Sequence, residues 1–525
     1  MKKNQNTENK LLSGALSLTI SALIVKFLGL IYKVPLSYIL SDEGMGYFNS
    51  AYTVYTFFYI ICTAGIPKAI SILTSEAESE GNSERVNLIY RTAFNMFFIF
   101  GIITTVLFIL LASPISHAIG NRGAFLTILA ISPSIMFVCA SGVIRGYFNG
   151  RLNLLPIAIS EVISGASRLL LGLLFAWFGS LFNYDLAELS ALTILGTTLG
   201  SFFGFIYLLI YKKIEKNAFN NEQNLKERKI SKKILCEIFK IAIPITLTSA
   251  IGSISNVIDL GIIMKRLLSA GYTELQASIL YGNYTTLAIP MLNLVATLIA
   301  PASAILLPIV SNSSVKNNKK LLGGKLSTTS KIICFVSIPI SFLFMFRAKE
   351  ILSIIFEDSS AVMSAPLLQL LAPGIIVMSF LTIINTVLEG LGKTNIPLIA
   401  LSIGIVVKII VSYILIGVGD FGVMGAPIGT ISSYLVSFLI SAYYLCVKLK
   451  IKIEILPHFL PVTLASVCSI IILNCIRMFF VKENVVFYLF ELTLFSILYL
   501  IFLFIFKFFT YKNILNLAKY TKKEY

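Results

Sequence analysis

Long apolar runs separated by short polar connections repeat along the whole chain. Fourteen of them fall near 12–40, 47–74, 88–112, 124–148, 154–178, 186–211, 236–268, 277–310, 329–355, 362–390, 396–417, 425–448, 458–480 and 484–510. Each meets the length of about 20 residues that a helix rising about 1.5 Å per residue needs to cross a hydrocarbon core about 30 Å thick. None alternates with period two, as the strands of a membrane barrel would. The pattern predicts an all-α polytopic membrane protein with about fourteen transmembrane helices.

Composition agrees. Hydrophobic residues make up 57% of the 525 positions and charged ones 13%, with a mean hydropathy of +0.88, which excludes a soluble globular domain. The polar, basic start "MKKNQNTENK" precedes a run too long for a signal peptide and without a cleavage site, so it reads as an uncleaved first span. The net charge of +17 would suit nucleic acid, but the basic residues sit between spans. They cluster at 211–233, 314–325 and 448–452, at both ends, and in turns bearing Arg85, Arg151 and Lys393, whereas 41–46, 357–361 and 417–422 are acidic or neutral. The positive-inside rule then places both termini in the cytoplasm.

The seven cysteines lie in or beside apolar runs without metal-ligand or redox spacing, and read as small packing residues. His117 and His458 stand alone, and no P-loop, HExxH or dinucleotide motif is present. The expectation is a chain that is not an enzyme and that carries no cofactor or metal.

The two halves echo each other. "RGYFNGRLNLLPIAISEVISGASRLL" (145–170) compares with "EGLGKTNIPLIALSIGIVVKII" (389–410): a Gly-basic-x-Asn turn, a proline, then an apolar helix with a basic residue inside it. Letter matching pairs Gly150 with Gly392, Arg151 with Lys393, Asn153 with Asn395 and Arg168 with Lys408. Tyr47, Asn49, Pro67 and Pro133 similarly approach Tyr281, Asn283, Pro301 and Pro373. The chain therefore reads as a six-helix lobe (1–211), a basic cytoplasmic linker (212–235), a second six-helix lobe (236–450) and two further helices with a cytoplasmic tail (451–525). An even number of spans per repeat gives a pseudo-two-fold axis near the membrane normal.

Ionisable residues inside spans are costly, about 2.5–3.5 kcal/mol each on insertion scales, and normally face a bundle interior or a cavity. Lys26 and Lys33 in span one, Glu161 and Arg168 in span five, Asp259 in span seven and Lys408 in span eleven are the candidates. Each of the two pairs is spaced by seven residues, hence on one helical face. A structural ion pair, such as Glu161 with Arg168, is the competing account. Arg145 is a further cavity candidate, although its nearness to a turn also suits topology. Arg91, Arg151, Glu389 and Lys393 read as cytoplasmic-gate or topology residues. The excess of cations at depth favours an anionic substrate, phosphate above all.

The order and content of "KFLGLIYKVPLSYILSDEGMGYFNSAYTVY" (26–55), "TAGIPKAISILTSEAESEGN" (63–82) and "RGYFNGRLNLLP" (145–156) resemble the multidrug/oligosaccharidyl-lipid/polysaccharide (MOP) exporter superfamily, in its oligosaccharide-flippase branch. The resemblance spans essentially the whole chain. It implies a V-shaped central cavity, a bacterial plasma-membrane location and movement of an undecaprenyl-pyrophosphate-linked sugar, typically lipid II, from inner to outer leaflet by alternating access. Many lipid II flippases of that branch carry Arg-x-Leu-Gly-x-x-Arg-Asp in the first span. Here Lys26 holds the first basic position, Tyr32 the second, and Lys33 replaces the acid. The Asp-Arg pair and Glu that such flippases can carry near the eighth span are absent from "YTTLAIP" (284–290). Coupling to the membrane potential, Na⁺ or H⁺ fits this reading, and membrane lipids and cell-wall synthesis enzymes are the expected partners. The rival readings are a cation-coupled multidrug antiporter, with Asp259 and Glu161 as coupling carboxylates, and a non-transporting scaffold for cell-wall synthesis acting through 211–233.

Overall fold

The computed structural model describes residues 2–219, 232–315, 319–418, 421–451, 456–478, 484–506 and 508. Half of the basic linker expected at 212–235, residues 220–231, and the tail beyond 508 lie outside them. Among the described residues there are helices and turns but no strand. The first helices are α1 (Lys2–Thr63), α2 (Gly65–Ser79), α3 (Ser83–Leu110), α4 (Ala112–Ile119), α5 (Phe125–Ile131) and α6 (Ser134–Gly150). Next come α7 (Leu155–Leu181), α8 (Leu186–Phe219), α9 (Lys232–Ser269), α10 (Glu274–Asn283), α11 (Ile289–Val315) and α12 (Lys319–Phe346). The last are α13 (Ala348–Ile355), α14 (Asp358–Gly390), α15 (Asn395–Ile416), α16 (Gly425–Tyr443), α17 (Leu456–Arg477) and α18 (Val485–Ile505).

Ten helical stretches are long and apolar enough to span a membrane, or twelve if two bent pairs each count as one span. The first stretch, Ile20–Ser79, has 60 residues, about 90 Å of helix and three times the hydrocarbon thickness. It divides at Ser41, which leaves helical geometry (φ 56°, ψ 178°) inside the polar "LSDEGMG" segment. The predicted eighth run falls on α10, a π-turn at Tyr284–Ala288, and α11, which do not enter that count. The shortfall from fourteen thus comes from a merged first pair and an interrupted eighth span.

Packing divides the chain into two compact units, Met1–Gly282 and Asn283–Tyr525. α9 packs into the first unit because Gly65, at the start of α2, lies directly against Ala242 and Thr246, leaving no room for a Cβ. α10 joins it through Ser278, which abuts Gly46 and accepts a hydrogen bond from Asn121 Nδ2 at 3.3 Å.

The internal repeat appears in the backbone, but in a different register. After α6, the amides of Arg151, Leu152 and Asn153 donate to the carbonyls of Tyr147, Asn149 and Phe148. After α14, Leu391, Gly392 and Lys393 donate to Val387, Glu389 and Leu388 in the same order. These are two copies of a helix C-cap whose turning residue is left-handed, Leu152 at φ 56° and Gly392 at φ 74°. Geometry therefore pairs Gly150 with Gly390 and Arg151 with Leu391, two residues away from the letter match, while Arg168 still falls on Lys408. The two halves share a helix-ending device rather than a basic turn residue.

Each unit also packs its corresponding helix pair through small residues. A Cβ on Gly200 of α8 would meet the Ser164 carbonyl of α7 at 2.6 Å, and one on Gly404 of α15 would meet the Ser433 carbonyl of α16 at 2.7 Å. Without a hydrophobic driving force between helices in lipid, such close approach supplies van der Waals contact along the seam. The cysteines do not all act as lone packing residues. Cys62 of α1 and Cys139 of α6 are joined as a disulfide, with Cα atoms 5.0 Å apart.

Candidate functional site: a cationic cavity in the first unit

A cavity of about 290 Å³ opens among α1, α6, α7 and α8. Lys26 comes from the first leg of α1, Tyr59 and Thr63 from its second, Ser141 and Arg145 from α6, Glu161, Ser164 and Arg168 from α7, and Ser201 from α8. Arg168 lies 13 residues into α7, about 20 Å along it, which places its guanidinium deep in the span. The seven-residue spacing of Glu161 and Arg168 does align them on one face, and both line the cavity.

The competing account, an ion pair of Glu161 with Arg168, does not form. Glu161 Oε1 takes Arg145 Nη1 at 3.5 Å rather than Arg168. Arg168 instead donates from Nη1 to Tyr52 Oη at 3.4 Å, its guanidinium carbon 5.9 Å from that ring. Arg145 also donates to Ser160 Oγ at 3.5 Å. The Nε groups of both arginines are buried without a hydrogen-bond partner among the described residues. Buried donors of this kind are rarely left unmet, so they are the natural contacts for an incoming acceptor. The Glu161 side chain is 33% exposed and its pair with Arg145 is long, so this bridge holds Arg145 weakly. The wall thus presents three cations, Lys26, Arg145 and Arg168, against one carboxylate. Chemically it suits a phosphate or pyrophosphate, which takes forked hydrogen bonds from arginine and point-charge contact from lysine.

Sequence reasoning missed the tyrosines. Tyr52, Tyr55 and Tyr59 follow one another at 5.9 Å centroid spacing along α1, and Phe48 stacks on Tyr52 at 6.1 Å. Their spacing at i, i+3 and i+7 in "YTVYTFFY" was the available signal.

Other candidates lie elsewhere. Lys33 shares the stripe of Lys26 but stands about 10 Å farther along α1, past the cavity lining. Asp259 is buried in α9 and does not line the cavity. Lys408 is half-buried in α15 of the second unit. Arg91, Glu389 and Lys393 are exposed. Arg151 is more than a topology marker, since it donates to Tyr147 Oη at 2.8 Å and pairs with Glu215 at 3.1 Å and Glu78 at 3.4 Å. It thereby ties α2, α6 and α8 together where α6 ends.

A second charge network, also unforeseen, lies in the second unit. Arg347, between α12 and α13, is 3.7 Å from Glu491 of α18 and donates to Asn474 of α17 at 2.6 Å. Arg477 at the end of α17 pairs with Glu350 of α13. Arg347, Glu350 and Glu491 are buried, so this network anchors the last two helices to the rest of the unit. Among the described residues, no group of three His, Cys, Asp or Glu side chains is placed to hold a metal ion.

The profile of the polysaccharide biosynthesis protein family matches residues 11–314, and that of the MatE family matches 284–414. Stage V sporulation protein B of Bacillus subtilis (strain 168) is 23% identical over 474 residues, 88% of each chain. Lipid II flippase MurJ of the same organism is 25% identical over 471 residues, 85% of each. A solved structure of lipid II flippase MurJ in an inward closed conformation superposes with a TM-score of 0.72 at 18% identity, covering 95% of this chain and 99% of that one. An inward-facing multidrug resistance MATE family transporter superposes with a TM-score of 0.68 at 15% identity, covering 83% and 98%. With more than half its length matched by one family, the chain belongs to the polysaccharide biosynthesis protein family, and it is a multi-pass membrane protein that shares its fold with both of these solved transporters.

Proposed function

We propose that this protein moves an undecaprenyl-pyrophosphate-linked sugar precursor, of the lipid II type or a related cell-wall saccharide, from the inner to the outer leaflet by alternating access. The observation that carries the reading is the three-to-one balance of cations over carboxylate in the first-unit cavity, with two arginines holding unmet buried donors. Arg168 and Arg145 would take the pyrophosphate oxygens, with Lys26 adding charge. The hydroxyls of Ser141, Ser164, Ser201 and Tyr59 offer donors and acceptors to a saccharide. The likeness to lipid II flippase MurJ of Bacillus subtilis supports the same class of cargo.

With both termini in the cytoplasm, an inside-negative potential favours outward passage of anionic charge by about 2.3 kcal/mol per charge per 100 mV. Two phosphate charges crossing the whole field would gain roughly 4–5 kcal/mol at 100 mV, enough to give direction without a coupled cation.

Depletion of this protein in cells lacking any redundant flippase is expected to leave lipid-linked precursor inaccessible to a membrane-impermeant reagent added outside. Unchanged outer-leaflet precursor would remove the proposal.

A further inference from the structure

A second concavity, of about 330 Å³, lies in the first unit among α1, α2, α3 and α9. Its floor is aromatic: Phe97 of α3 packs 5.9 Å from Phe239 of α9 and 6.4 Å from Phe100. Its rim is a stripe of α9, Ile243, Leu247, Ala250 and Ile254, spaced four, three and four residues apart and therefore on one helical face. Ile243, Leu247 and Ile254 are 51%, 63% and 42% exposed, so the groove opens to the surroundings rather than into the core. Those surroundings, for spans of this length, are hydrocarbon.

Two features select the occupant. From Ile243 to Ile254 is 11 residues, about 16 Å of helix, which matches one leaflet of a core about 30 Å thick. One turn before Ile243, on the same face and toward the lysine-bearing start of α9, stands exposed Lys240. The nearby carboxylate, Glu237, is already 3.8 Å from Arg85 of α3. This face therefore ends in an exposed cation one helical turn beyond the apolar stripe, a spacing that suits a phosphate above an acyl chain.

We infer that the groove is a binding site for an anionic phospholipid of the leaflet in which α9 begins, with one acyl chain along Ile243–Ile254 and the phosphate at Lys240. The site coincides with a break in α9. The segments Lys232–Leu247 and Ser249–Ser269 are bent by 46°, and Pro244 cannot donate the helical hydrogen bond to the Lys240 carbonyl. A chain lying over the bend fills the space that the bend opens.

The test uses the full-length protein in nanodiscs containing trace phosphatidylglycerol or phosphatidylcholine with a diazirine in mid-chain, followed by photolysis and peptide mapping. Phosphatidylglycerol is expected to label residues 243–254 about fivefold above phosphatidylcholine, the value of one lysine near an anionic headgroup. Lys240→Gln, a surface change, should erase that preference. Ala250→Trp should reduce labelling by both lipids while thermal stability confirms folding. Equal labelling by the two lipids, adducts spread evenly over all lipid-facing helices, or displacement of the probe by a polyprenyl diphosphate would each overturn the assignment.

Discussion

Arg168→Ala is expected to lower precursor transport about 10- to 100-fold while leaving the protein folded. A hydrogen bond to a charged group contributes about 1.5–3 kcal/mol, and each 1.4 kcal/mol is a factor of ten. Arg168 lines the cavity and meets only a neutral phenol at 3.4 Å, so its removal leaves no buried carboxylate orphaned. Arg168→Lys should recover part of the loss, because charge is kept but the forked geometry is not. Glu161→Gln separates the rival readings. It frees Arg145 from its 3.5 Å partner and should preserve or tighten binding of the pyrophosphate lipid. In a cation-coupled drug antiporter the same change would abolish efflux. Transport measured in proteoliposomes, with thermal stability as the folding control, reads all three variants.

The largest effect on stability is expected at Glu491. Removing one partner of a buried ion pair costs about 3–5 kcal/mol, because the remaining charge stays buried without compensation. Glu491→Ala should therefore release α18 from Arg347, while Asn474 still holds α17, seen as a lower midpoint of thermal unfolding in detergent and as new protease cleavage near the α17–α18 connection. The double variant Arg347→Met/Glu491→Leu should regain most of that stability, since a packed apolar pair can replace a buried ionic one. A double variant no more stable than Glu491→Ala alone would show that the network is not what holds these helices.

The helical fold and the repeat were legible because membrane depth forces long apolar runs and because the two halves end a helix in the same way. The register of that repeat was not. Letters aligned Gly150 with Gly392, whereas the backbone puts Leu152, a residue that rarely takes positive φ, where Gly392 turns the second copy. Arg168 and Glu161 could be read from one stripe of one helix. Arg145 could be read only ambiguously, because α6 continues to Gly150 and carries it more than one turn inside what looks like a connection. The pairing of Glu161 with Arg145, and of Arg347 with Glu491, depends on which helices meet, and no spacing within a single span encodes that. Lys33 shares a helical face with Lys26, but the 10 Å or so of rise between them keeps it out of the lining of this cavity.

The central claim is that the first-unit cavity recognises an anionic lipid-linked headgroup. Its most direct measurement is equilibrium binding of an undecaprenyl-pyrophosphate sugar to the purified protein, against Arg145→Ala/Arg168→Ala and in competition with an organic cation. The account expects saturable binding by the native chain, loss of at least tenfold in the double variant, and no competition by the cation. Binding of the cation that depends on Glu161, with no saturable binding of the lipid, would contradict it.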